Sequence, residues 1–185
     1  MLGWINEAQR AIYAKDKSVG TVIANVALAV GTKQTLPTGG DLLLDSPRNL
    51  ADAGGAPGRA LRKVSMRVMD AQAPGWHTET GATTILEYMY DERTPDTFYV
   101  YPPAASGARL ELKYNRPPPA VATTAADISV PDEYSPAVLD YILFRAFAKE
   151  TEVSLRDRAV LHKQAFDAAV SDSEDTSDSA EGNDK

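Results

Sequence analysis

The spacing of apolar side chains changes twice along this chain, and that change limits what it can fold into. In residues 2–14 and again from 136 to 170 they recur every third or fourth position; between 21 and 114 they recur mostly every second position. A helix returns to one face every 3.6 residues and a strand every two. The chain is therefore predicted to open on a helix, run through a β-rich middle and close on two helices. Leu2, Ile5, Ala8 and Ile12 mark the first helix, and Val22, Ala24, Val26, Leu28 and Val30 a strand over 21–30. Strands are expected at 41–45, 61–69, 83–90, 97–101 and 108–114, with a loop over 46–58, where Pro47, Gly54, Gly55, Pro57 and Gly58 cluster. The polar run 91–96 should close a hairpin, and Pro117, Pro118 and Pro119 end the β region, since proline cannot donate to a ladder.

Ser135-Pro136 reads as a helix start, with serine at the cap and proline in the first turn. The helix over 136–149 is apolar on most sides and should be buried on several. A second, about 154–170, carries Leu155, Ala159, His162, Phe166 and Ala169 on one stripe. The expected fold class is α+β. Segments 1–18 and 131–170 form a small helical bundle, 19–130 is a sandwich- or barrel-like β-rich insertion, and 171–185 is a disordered acidic tail. The bundle core should draw on Trp4, Ile5, Ile12, Leu139, Ile142, Leu143, Phe147 and Phe166.

Composition narrows function. Among 185 residues there is no cysteine, which removes disulfides, thiolate metal sites and cysteine nucleophiles. No uninterrupted apolar run is long enough to span a bilayer, and the first residues lack the basic-then-apolar order of a secretory leader. Of the net charge of −7, residues 171–185 supply −5, leaving 20 acids against 18 bases elsewhere. High-affinity DNA binding draws on a basic surplus, which is missing here.

Sites of chemistry are weak. Gly54 to Arg59 is glycine-rich but lacks the Gly-Lys-Ser/Thr ending of a phosphate loop and contains Pro57, so it reads as a flexible loop. His77 and His162 stand far apart without ligand spacing; His162 reads as a packing histidine and Trp76 as an anchor. Asp91, Glu92 and Asp96 lack the spacing of a calcium loop, and no Gly-x-Ser-x-Gly elbow frames a serine. No enzyme, cofactor or metal is expected. Arg59, Arg62, Lys63 and Arg67 place positive charge along one predicted strand, as a solvated face or as a contact for an acidic partner or a passing phosphate. Tyr88, Tyr90, Tyr99 and Tyr101 alternate on paired strands, where cross-strand packing accounts for them and an interface is the other use. The candidate interface set is Arg59, Arg62, Lys63, Arg67, Tyr99 and Tyr101.

The order of three motifs resembles the head–tail adaptor (connector) proteins of tailed bacteriophages. They are Trp4-Ile5-Asn6-Glu7-Ala8-Gln9-Arg10, Asp96-Thr97-Phe98-Tyr99-Val100-Tyr101-Pro102-Pro103 after Trp76-His77, and Tyr134-Ser135-Pro136 leading into the helix closed by Phe166. The resemblance runs from about residue 2 to 170. It implies a structural virion protein at the neck, assembled in the host cytoplasm, in a ring usually of twelve copies docked under the portal protein. The terminal helices would face the portal and the β region a downstream tail or nozzle protein. Genomic DNA would pass through the channel without sequence-specific binding, and no membrane is involved. One departure is that members of that family usually carry a further helix ahead of the Trp-containing one. The alternative reading is a β-rich carbohydrate-binding module of a tail component, supported only by Trp76 and the tyrosines.

Overall fold

The structure, a computed structural model, describes residues 1–123, 125–150 and 152–181, with the side chains of 47 and 172–181 outside that description. The chain divides into two units, one of 1–20 with 117–185 and one of 21–116. The architecture is α+β.

The second unit is a β sandwich. One sheet has the order β1 (Thr21–Ala27), β8 (Arg109–Asn115), β3 (Leu42–Leu50), β4 (Pro57–Ala60); the other runs β2 (Gly31–Thr35), β7 (Thr97–Ala104), β6 (Glu87–Tyr90), β5 (Arg62–Lys63). All neighbours are antiparallel except β5 and β6. Leu43, Leu110, Leu112 and Tyr114 from the first sheet meet Tyr88, Phe98, Val100 and Ala104 from the second in one buried cluster. This is the inward half of each alternating strand. The turn from β7 to β8 places Gly107 at φ +90, the left-handed region that glycine enters without steric cost.

Several elements differ from expectation. The β1 ladder stops at Ala27, and Val30 is 75% exposed. β2 was hidden because its inward residues are the polar Thr32 and Gln34; the Gln34 amide satisfies itself by accepting from Ala29 N and donating to Ala29 O, both at 2.8 Å. β3 extends into the expected loop as far as Leu50, with a ladder irregularity between 45 and 48 that accommodates a position lacking an N–H. The strand expected over 61–69 is only Arg62–Lys63, followed by a helix, α2 (Met66–Gln72). Met66, Met69 and Ala73 stand at helical spacing and pack with Trp76 and Met89, a period masked by accidental alternation. The strand expected from 83 begins only at Glu87; Leu86 still bonds to Tyr101 and Arg62, and Asn49 satisfies the Ile85 backbone. The Asn49 amide accepts from Ile85 N (2.7 Å) and donates to Ile85 O and Arg59 O (both 2.8 Å).

The first unit joins α1 (Leu2–Lys15), α3 (Ser135–Phe147) and α4 (Val153–Glu181). Ala8, Ile12, Val130, Tyr134, Ala137, Val138, Phe166 and Val170 form its core. Val170, not Ala169, completes the α4 stripe. Ser135 is the first helical residue and makes no side-chain cap; Pro136 sits in the first turn. Residues 117–130, expected with the β region, belong to this unit. The reason lies on α1: Asn6 Nδ2 donates to Val121 O (3.1 Å), Asn6 Oδ1 accepts from Val121 N (2.7 Å) and Gln9 Oε1 accepts from Ser129 N (2.7 Å). α4 runs on to Glu181, beyond the expected end near 170; the rest of the acidic tail, 182–185, lies outside the described residues.

Candidate interface

The α3–α4 hairpin is tied by side chains of opposite character. His162 Nδ1 is 2.8 Å from Asp140 Oδ1, and the imidazole lies on Phe147 with centroids 5.6 Å apart. Tyr141 meets Phe166 edge-on at 5.2 Å. Asp167 accepts from Lys15 Nζ at 2.7 Å and also from Lys163, and these two ammonium groups hold its carboxyl below the usual carboxylate range. Asp16 accepts from Ser18 N (2.8 Å) and from the Tyr134 hydroxyl (2.6 Å). Burial pushes the Asp16 pKa up, but these hydrogen bonds outweigh it and the net shift is downward. Lys149 stands over the Trp4 ring at 4.6 Å, and Arg145 pairs with Glu7 at 3.2 Å.

The outer faces of this hairpin are not finished. Leu139, expected in the core, is 56% exposed, because the core side of α3 is taken by Ala137 and Val138. Of the other residues expected there, Ile12 and Phe166 are fully buried, while Trp4, Ile5, Ile142, Leu143 and Phe147 are half-buried. α3 packs against both α1 and α4, and residues 140–147 are half-buried all round rather than fully enclosed. Val160 and Leu161 of α4 are 55% and 63% exposed. Between the helices lies a groove of about 410 Å³ floored by Phe144, Ala148, Ala159 and Val160, with Arg156 and Lys163 at its edge.

In the β unit the four cations do not share one strand. Arg59 is on β4, Arg62 and Lys63 are on β5 in the other sheet, and Arg67 is on α2. Arg62 is bound to Glu87, and Lys63 lies 5.8 Å from the Tyr90 ring centroid. Lys63 and Arg67 line a groove of about 700 Å³ with Arg93, Asp91 and Glu92, so that groove has mixed charge; Arg59 lines a separate cleft of about 330 Å³. The tyrosines are divided as well. Tyr88 and Tyr90 pair with Val100 and Phe98 on the inward face, whereas Tyr99 and Tyr101 pair with Met89 and Glu87 on the outer one. Tyr88 donates to Asp45 at 2.8 Å, and burial together with that carboxylate raises its pKa. Tyr90 donates to Pro95 O and accepts from Leu43 N, both at 3.1 Å. Tyr99 packs edge-on against Trp76 and His77, and Tyr101 donates to Glu79 at 3.1 Å.

His77 Nδ1 lies 2.8 Å from Thr32 Oγ1, and the ring stacks on the buried Trp76 at 3.7 Å. Among the described residues no group of three or more His, Asp or Glu side chains is placed to hold a metal ion, and no helix is long and apolar enough to cross a membrane. The sequence does not announce Asn6, Gln9 and Asn49 as the polar residues that hold distant backbone segments in place. The one available signal was amides at spacing i, i+3 on an otherwise amphipathic helix.

No curated protein matches the sequence. The family model for the SU10 adaptor protein matches residues 1–184. A match over essentially the whole length, on a chain whose helical hairpin leaves apolar surface uncovered, makes this protein a structural bacteriophage adaptor and a member of the SU10 adaptor protein family.

Proposed function

We propose that this chain is one subunit of a head-to-tail adaptor ring, a dodecamer as the resemblance to head–tail adaptor proteins implies, that docks on the portal protein and carries the next tail or nozzle component. In this reading the helical unit contacts the portal and neighbouring copies, the β sandwich faces the tail, and genomic DNA threads the channel without sequence-specific binding. The observation that supports it is the unfinished burial of the α3–α4 hairpin, where Leu139, Val160 and Leu161 are each more than half exposed and Val160 lines a largely apolar groove. Such surface is stabilised by a neighbour, at roughly 25 cal/mol per Å² of apolar area covered. The near-balance of charge ahead of residue 171 suits a wall past which DNA must move without sticking.

Hydrogen exchange on the protein mixed with its portal tests the reading. Slowed exchange in α1, α3 and α4 is the expected outcome. Protection confined to 21–116 would overturn the assignment of faces, and no protection anywhere would overturn portal docking. The carbohydrate-module reading has no supporting geometry, since the tyrosines are split between the two faces of one sheet and Trp76 is buried.

A further inference from the structure

Three of the four sheet edges in the sandwich are guarded against pairing with another chain. β4 carries Pro57 and Arg59; β5 is two residues long, both cationic; β2 carries Lys33 and a register shift between 31 and 33. These are the features that natural edge strands use to prevent edge-to-edge association. β1 has none of them. Its seven residues, Thr-Val-Ile-Ala-Asn-Val-Ala, contain no charge and no proline, and its ladder with β8 runs without interruption from Thr21↔Asn115 to Ala27↔Arg109. Among the described residues no strand pairs with its other edge.

The side chains of β1 point to what that edge accepts. Val22, Ala24 and Val26 lie against the sandwich core yet remain half-buried, as expected where the next strand of a sheet is missing. On the opposite face Ile23 is 63% exposed. The inward pattern Val-x-Ala-x-Val is symmetric about Ala24. Two copies of β1 laid antiparallel on a two-fold axis at Ala24 therefore set Val22 against Val26 twice and Ala24 against itself. Ile23 then meets Asn25, and Thr21 meets Ala27. No like charges are brought together, and each copy completes the row of half-buried side chains on the other.

We propose that this edge is a self-association surface, on which β1 of one copy pairs antiparallel with β1 of a second to join two four-stranded sheets into one of eight strands. A two-fold pair is isologous and does not build a ring, so this dimer belongs to the free protein and stands apart from the head-to-tail contacts of the assembled form. The contact is short, and the dimer is expected to be weak and concentration-dependent.

Because the chain has no cysteine, a single introduced thiol reports on the pairing. The full-length Ala24→Cys variant, mildly oxidised, should form a disulfide-linked dimer roughly tenfold more readily than Val30→Cys, an exposed thiol beyond the end of the strand, because pairing raises the local thiol concentration. Sedimentation of the reduced wild type should show a monomer–dimer equilibrium, and Ile23→Lys with Asn25→Lys, which sets lysine against lysine, should return it to monomer. A wild type that stays monomeric throughout the micromolar range would overturn the proposal. So would equal crosslinking at 24 and 30, or a dimer that survives the double lysine variant. Portal binding is read separately, so failure here is distinguishable from failure of the adaptor reading.

Discussion

Asn6 illustrates how much a single polar side chain can decide. It both donates to and accepts from the backbone of Val121, and with Gln9 it holds the stretch after the proline run against the first helix. Replacing it with alanine leaves a partly buried N–H and C=O without partners, so Asn6→Ala should cost about 1–3 kcal/mol in urea unfolding. Asn6→Asp keeps the acceptor and should cost less. Asp16 adds a pH dependence. Its folded pKa lies below the ordinary value of 3.8, so its contribution to stability is complete above that value and is lost as pH falls through the folded pKa. Tyr134→Phe removes one of its donors. Stability at neutral pH should drop by about 1–2 kcal/mol, and the gap from wild type should close in acid titrations run below pH 3.8. A gap that persisted in acid would show that the tyrosine acts through packing alone. The sequence identified Asn6 and Gln9 only as letters of a motif. Their partners stand more than a hundred residues away, and no local pattern announces a long-range hydrogen bond.

At the scale of elements, periodicity located the terminal helices, β1, β7, β8 and the hairpin at 91–96, because each buries a single continuous face. It failed where polar groups substitute for apolar ones or where two periods coincide. β2 turns Thr32 and Gln34 inward, and 61–69 alternates while its end is helical. The small cluster that α2 makes with Trp76 and Met89 gives a direct check. Met69→Ala should destabilise the sandwich by about 2–4 kcal/mol as a cavity-forming change, whereas a residue on an exposed strand would cost little. Sequence spacing puts the four cations of the candidate interface set along one strand, but the structure distributes them over β4, β5 and α2, while Tyr99 and Tyr101 stand on the outer face of β7. The uncovered face of α3 and α4 was not legible, since Leu139 and Val138 look alike in sequence and differ only in which side of the helix meets α1. Leu139→Glu with Leu161→Glu should leave urea unfolding within about 0.5 kcal/mol of wild type. The same pair should weaken portal association strongly if this face is the contact.

The whole molecule joins a sandwich with its own core to a helical unit whose core is small and which leaves Leu139, Val160 and Leu161 exposed. The family assignment covers both. The central claim is that burial on the helical unit is completed by other subunits. Light scattering behind a sizing column, on this protein mixed with its portal, tests that claim most directly. The predicted result is a single species with the mass of a portal ring carrying a full ring of adaptor subunits. An intact portal eluting beside uncomplexed protein would contradict it.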